Sequence, residues 1–190
     1  MTIVDESLML TPSPQHGDFS LSGASLRASP ERARALLVQH GVLILDDDRQ
    51  NLESVASVCT DFLDIPPRRV VLIHARTGMS LGQIIEETDR ALREVIKTTG
   101  ASFGGLITDY NLSPSFTSLS VWRAIDSMLN QSPCKEPWMR TGRVLMTGAC
   151  DETDILSAKS EHLIDLHIHK PFKLTTLEEA LLGSILKRLG

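Results

Sequence analysis

The sequence has few cysteines, no long apolar run and no surplus of basic residues. Its three cysteines, Cys59, Cys134 and Cys150, stand singly without a CxxC pair, which is unfavourable for zinc and typical of free thiols in a reducing cytoplasm. No apolar run approaches the roughly 20 residues that span a bilayer, and the acidic start MTIVDESLML lacks the pattern of a signal peptide. The formal net charge of −5 argues against direct nucleic-acid binding. We therefore expect a cytoplasmic globular protein.

The length of 190 residues allows one ordinary domain and an extension. Residues 1 to about 28 are rich in Ser, Thr and Pro, and we predict a flexible tail there. Ser29 and Pro30 are typical of a helix start, and this helix would run to His40, where Gly41 ends it. We thus predict a tail and short helix over 1–40 and a domain over 41–190. The helix could be a docking or homodimerisation arm, or it could lie on the edge of the sheet.

A buried strand is indicated by the run VLILDDD, which begins at Val42 and ends in three consecutive aspartates. A strand that is apolar on both faces belongs inside a parallel sheet covered by helices. Four further strands are predicted over 69–74, 104–108, 143–146 and 163–168, each separated from the next by a helical pattern. The fold class is therefore α/β, a parallel sheet with helices on both faces. A polar loop is predicted over Gln131–Thr141, and Trp122 and Trp138 are assigned to the core or an interface.

Polar side chains stand at four of the predicted strand ends, which are Asp46 with Asp47, Asp109, Thr147 and Lys170. In such a sheet the carboxyl ends of the strands form one edge, where ligands bind. Clustered acids repel one another unless a cation lies between them, and an all-oxygen set favours Mg²⁺, with Mn²⁺ as a substitute. A carboxylate there could attack a phosphoryl group while the lysine and the threonine hydroxyl contact its oxygens. Asp48 is better explained as the N-cap of the next helix.

Four motifs in order, VLILDDD, LITDYNL, VLMTG and HKPF, resemble the receiver (REC) domain of two-component response regulators over about residues 42–190. The resemblance implies a flavodoxin-like, doubly wound five-stranded sheet of order 2-1-3-4-5. It places Asp109 at the phospho-acceptor position, and it places Asp46 and Asp47 at the positions of the acidic pair that holds Mg²⁺. Asn111 would give its backbone carbonyl to the same metal. Ser113 is a departure, since the family usually has Pro there.

The resemblance also implies a switch. Thr147 matches the switch hydroxyl, and Lys170, followed by Pro171, matches the invariant lysine. His167 stands where the family has a rotating switch residue that is usually aromatic. His167 and His169 could instead form a metal pair on one strand, but no third ligand is evident in the sequence, so we favour packing or a switch role.

The resemblance implies that a histidine kinase or a histidine phosphotransfer protein phosphorylates Asp109 in the cytoplasm. Phosphorylation from small phosphodonors and slow self-dephosphorylation would follow, and output would act through contact with a downstream protein. Two alternatives are a degenerate receiver that binds partners without phosphorylation and an Mg²⁺-dependent phosphohydrolase with an aspartyl nucleophile. The phosphohydrolase needs a second acid soon after its nucleophile, whereas Tyr110, Asn111 and Leu112 follow Asp109.

Overall fold

A central parallel sheet organises the computed structural model, which describes residues 29–100, 102–129, 134–148 and 152–189. The described strands are β1 (Val42–Asp46), β2 (Val70–His74), β3 (Gly105–Asp109), β4 (Asn111–Ser113), β5 (Phe116–Thr117), β6 (Gly142–Thr147) and β7 (Leu166–His169). Five of them form the sheet in the order β2-β1-β3-β6-β7, with every neighbouring pair parallel. Counted within the sheet alone, this is the order 2-1-3-4-5, so the expected flavodoxin-like fold is confirmed.

Helices alternate with the strands. They are α1 (Pro30–His40), α2 (Arg49–Asp61), α3 (Leu81–Thr99), α4 (Ser118–Leu129), α5 (Lys135–Met139), α6 (Glu152–Ser160) and α7 (Leu174–Leu189), and a short 3₁₀ turn (Pro67–Arg69) precedes β2. Local chemistry sets several helix starts. The side chain of Asp48 accepts hydrogen bonds from the first backbone N–H groups of α2, and Ser80 and Gln83 form a capping box at the start of α3.

The core lies in two layers, one on each face of the sheet. Helices α3, α4 and α6 cover one face, and α1, α2 and α7 cover the other. All residues of β1, β3 and β6 are buried, because these strands are central and covered on both sides. The edge strands β2 and β7 are only partly buried. Among the described helices, none is long and apolar enough to cross a lipid bilayer.

Helix α1 packs against the rest of the fold. Ala33 and Leu37 are fully buried beside Val42 and Leu181, and Arg34 forms an ion pair of 2.8 Å with Glu178 of α7. In the structure the helix thus packs on the domain beside α7, and its role as a docking or homodimerisation arm stays a prediction. The predicted tail lies outside the described residues, so the division of the chain at residue 40 stays a prediction.

Gly41 makes the tight connection between α1 and β1. Its φ of 76° lies in the left-handed region that glycine adopts without strain. A Cβ at this position would also overlap the backbone carbonyl of Arg69. Its own carbonyl accepts a hydrogen bond of 2.9 Å from Gly104, which leads into β3. The residue therefore brings α1, β1 and β3 into contact.

Three local features differ from the sequence-based expectations. The strand predicted over 163–168 begins only at Leu166, because the amides of Leu163 and Ile164 bond to Ala158 at the end of α6. The predicted polar loop over 131–141 contains α5, which buries Trp138. A hairpin of β4 and β5 follows Asp109, in a segment for which the sequence analysis predicted no strand.

A buried charged cluster lies at the amino end of β6. Arg143 is 1% exposed and stacks on Trp138 with its guanidinium carbon 4.2 Å from the ring centroid. Its Nη2 lies 3.3 Å from Oδ1 of Asp126, and the indole N–H of Trp138 donates to the same carboxylate. The ring of Trp122 packs against that of Trp138 at 5.8 Å. Side chains from α4, α5 and β6 are held together here, far from the carboxyl ends of the strands.

Candidate functional site

The carboxyl ends of β1 and β3 bring three acids together. One carboxylate oxygen from each of Asp46, Asp47 and Asp109 lies within 4.8 Å of the other two. Asp46 and Asp109 end adjacent central strands and are buried, while Asp47 is exposed on the loop to α2. The structure thus brings the three acids together at the edge of the sheet where the sequence analysis expected them.

This acidic cluster fits a hard divalent cation. Its donors are all carboxylate oxygens, which suit Mg²⁺ or Mn²⁺ and do not suit softer metals. Within the described ranges, these three acids are the group of three or more potential ligands that lie close enough to hold a metal ion. The pair His167 and His169 has no third ligand among the described residues, and a zinc site would need one. The two imidazoles pack edge to face, with centroids 5.2 Å apart.

Lys170 joins the cluster from the end of β7. Its Nζ lies 3.0 Å from Oδ1 of Asp109 and 3.3 Å from Oδ2 of Asp46. Burial disfavours its charged form, but the hydrogen bond to Asp109 and the charge of Asp46 outweigh burial and raise the pKa of Lys170. The lysine therefore stays cationic and faces the two buried acids directly.

Burial disfavours the charged forms of the two buried acids, Asp46 and Asp109. Burial raises the pKa of Asp46, although the backbone N–H of Asp48 and the charge of Lys170 partly offset the effect. Burial likewise raises the pKa of Asp109, the charge of Asp47 adds to the increase, and Lys170 opposes it. Since one lysine faces a cluster of three carboxylates, a further positive charge would be favourable there.

Thr147 ends β6 beside this cluster. It is fully buried, and among the described residues its hydroxyl has no hydrogen-bond partner. A buried hydroxyl without a partner is costly and needs an explanation. Its register partner in β7 is His169, and His167 pairs with Leu145, so both histidines lie on the same side of the sheet as Thr147. Burial lowers the pKa of His167, helped by the charge of Lys159 in α6.

Asn111 and the following hairpin border the site. Asn111 begins β4, is exposed, and lines a surface hollow together with Asp47 and the serines of the hairpin. Ser113, where the family usually has Pro, takes part in this hairpin: its hydroxyl lies 3.0 Å from that of Ser115. The departure noted in the sequence thus lies in the hairpin that follows Asp109.

One neighbour of the site was missed from the sequence. His74 ends β2 in register with Asp46, and its Nε2 lies 3.0 Å from the backbone oxygen of Asp47. The signal for it was available, since His74 stands at a strand end like the other polar residues. None of the four motifs includes this position.

Comparisons with known proteins bear on the fold. Neither a family model nor a curated protein matches the chain. Among solved structures, a sensor protein from Polaromonas sp. JS666 has a TM-score of 0.52 at 18% identity over 77% of this chain and 96% of its own. An adenylate cyclase from Rhodopirellula baltica has a TM-score of 0.51 at 19% identity, over 77% of this chain and 87% of its own.

A signal receiver domain of an HD domain-containing protein from Pseudomonas fluorescens Pf-5 is also similar, at 17% identity and a TM-score of 0.49. That similarity covers 78% of this chain and 95% of the other. At such low identities these likenesses speak to the fold alone. Together with the strand order, the two structures with a TM-score above 0.5 support the flavodoxin-like fold of this chain.

Proposed function

We propose that this protein is a response-regulator receiver that takes a phosphoryl group onto Asp109. The donor would be a phosphohistidine on a histidine kinase or a histidine phosphotransfer protein, and the reaction would take place in the cytoplasm. The observation that carries the proposal is the arrangement of Lys170, which contacts both Asp109 and Asp46 inside a cluster of three carboxylates. An acid that stays next to a cation and beside a metal site can act as a nucleophile.

In the proposed reaction, one carboxylate oxygen of Asp109 attacks the phosphorus atom. A P–O bond forms and the P–N bond to the imidazole breaks, and the imidazole leaves with the electron pair and takes up a proton from solvent. Lys170 is close enough to Asp109, at 3.0 Å, to pair with an oxygen of the transferred group. The hydroxyl of Thr147, which has no hydrogen-bond partner within the described ranges, would donate to another oxygen.

The metal has a defined place in this proposal. Asp46, Asp47, Asp109 and the backbone carbonyl of Asn111 would hold Mg²⁺, or Mn²⁺ in its place. When bound, the cation neutralises charge on the phosphoryl oxygens. Water would later hydrolyse the aspartyl phosphate slowly, which returns the protein to its resting form.

The added negative charge would change the surface that a downstream protein binds. Thr147 ends β6 and Lys170 follows β7. Their movement towards the phosphoryl group would therefore change the positions of α6, β7 and α7. His167 lies in β7 on the same face as Thr147 and would move with it. A ligand that prefers one arrangement shifts an existing equilibrium towards it.

The test is intact mass after incubation with Mg²⁺ and a small phosphodonor. Acetyl phosphate and phosphoramidate serve together, because the second has the P–N bond of a phosphohistidine. We expect one added phosphoryl group on the wild type and on the control Asp61→Asn, whose carboxylate is exposed on α2. The adduct should be absent in Asp109→Asn and after chelation of the metal.

Other outcomes decide between the alternatives. A folded protein that gains no phosphoryl group from either donor would be a degenerate receiver, and its partners would then be sought by affinity capture. Repeated turnover of p-nitrophenyl phosphate would indicate the phosphohydrolase. That outcome is disfavoured by the residues after Asp109: Tyr110 is buried, and neither Asn111 nor Leu112 is an acid.

A further inference from the structure

Helix α6, next to the site, has few buried side chains. Of its nine residues only Ile155 and Ala158 are buried, and Leu156 is 66% exposed. The helix begins shortly after Thr147, the residue whose buried hydroxyl has no partner among the described residues. Few buried apolar contacts mean that a helix can shift at little cost in free energy.

A side chain that directly follows the phospho-acceptor holds the first turn of this helix. The hydroxyl of Tyr110 donates a hydrogen bond to the carboxylate of Asp154. The backbone of Tyr110 is fixed on both sides: its N–H donates to the carbonyl of Met146 at 2.8 Å, and its carbonyl accepts from the N–H of Ser118 at 3.0 Å. The ring is buried in the core beside Ile155. Asp154 is thus attached to an immobile point next to Asp109.

A second contact holds the other end of α6. Nε and Nη2 of Arg123, in α4, lie 2.9 and 3.0 Å from the two carboxylate oxygens of Glu161, just beyond the end of the helix. Arg123 also lies within electrostatic range of Asp154 in the first turn of the helix. The two attachments differ because Tyr110, and not Arg123, belongs to the chain segment that directly follows Asp109.

We infer that the hydrogen bond from Tyr110 to Asp154 is a latch that holds α6 in its unphosphorylated position. The inference rests on the proposed phosphorylation of Asp109. A phosphoryl group there offers the Thr147 hydroxyl an acceptor, and the movement of Thr147 towards it displaces α6, which begins five residues later in the chain. Asp154 is then drawn away from Tyr110, which its two backbone hydrogen bonds keep in place. Tyr110 is a positioning residue in this scheme and takes no part in the chemistry.

The variant Tyr110→Phe keeps the buried ring and removes only the donor. The hydrogen bond between Tyr110 and Asp154 is partly buried, and its loss should shift the equilibrium between the two positions of α6 about five-fold. We therefore expect amide hydrogen exchange over residues 152–160 to be about five-fold faster in the unphosphorylated variant than in the wild type. Phosphorylated forms, maintained with acetyl phosphate and Mg²⁺, should exchange equally. The initial rate of phosphorylation should rise by a similar factor, because the arrangement that accepts the group is more populated.

Asp154→Asn provides a second variant, which weakens the same bond from the other side. Thr98→Ala is the control, because it removes a side-chain hydrogen bond of 2.9 Å within α3 and should leave exchange in α6 unchanged. Intact mass is recorded on every sample. If the proteins become phosphorylated and the difference between Tyr110→Phe and wild type persists in both states, the bond is merely structural and the latch is refuted. If no sample becomes phosphorylated, the proposed function fails, and the latch fails with it.

Discussion

The ammonium group of Lys170 lies 3.0 Å from the carboxylate of Asp109. Lys170 follows the edge strand β7, whereas Asp109 ends the central strand β3. The same group contacts the fully buried Asp46 at 3.3 Å. One cation thus serves two buried acids that stand at the ends of adjacent strands. The arrangement makes the lysine important for stability as well as for the proposed chemistry.

Replacement of Lys170 by methionine should destabilise the metal-free protein. Removal of the partner of a buried charge typically costs several kcal/mol, and because Lys170 is partly exposed we expect a loss of about 2 kcal/mol in the free energy of unfolding. Urea unfolding in the presence of a chelator measures it, with Lys173→Met as the exposed control. Mg²⁺ should restore more stability to Lys170→Met than to the wild type. An equal effect of Mg²⁺ on both would contradict the proposed metal site.

The hydroxyl of Thr147 should matter only after phosphorylation. Thr147→Val keeps the shape of the side chain and removes an unpaired polar atom, so the resting protein should be as stable as the wild type or more stable by about 1 kcal/mol. The phosphorylated variant should lose the change in hydrogen exchange over α6. Thr141→Val is the matched control: its buried hydroxyl bonds to the carbonyl of Pro137, and its loss should cost about 1 kcal/mol. A destabilised Thr147→Val would show that its hydroxyl is already paired.

The ion pair of Arg123 and Glu161 should give the protein a pH-dependent stability on the acid side. Hydrogen bonds from Arg123 and Ser157 lower the pKa of Glu161 from 4.5 to about 2. Because the folded pKa is the lower one, the stabilisation is present above pH 4.5 and is lost as the pH falls towards 2. We expect Glu161→Gln to melt below the wild type at pH 7 and the gap to shrink by pH 3. Glu179→Gln, at an exposed position, should show no such gap, and a gap independent of pH would contradict the assignment.

Much of the fold could be predicted because several signals agreed at each element. The alternation of apolar runs and helical patterns predicted the sheet, and Ser29 and Asp48 marked helix starts that the structure confirms. The acids, Thr147 and Lys170 could be placed together because parallel strands end at one edge. The proposed roles of these residues in phosphorylation rest on the resemblance, because the strand ends determine only their positions.

What could not be predicted lies in short elements and in contacts between distant residues. Helix α5 has five residues and contains Pro137, so it is too short to show a helical period, and Trp138 alone hinted that the segment is buried. The hairpin of β4 and β5 has strands of three and two residues. Leu163 and Ile164 are apolar and buried, as a strand would require, but their amides close the end of α6 and leave only four residues to β7.

The buried cluster of Arg143, Trp138 and Asp126 has a consequence for how sequences of this kind can diverge. Each of the three side chains contacts the others, and an arginine that loses its carboxylate inside a core is strongly destabilising. A change at one position should therefore destabilise the fold unless the other two change with it. Sequences that descend from this one should tend to keep the three residues together, whatever happens at the opposite edge of the sheet.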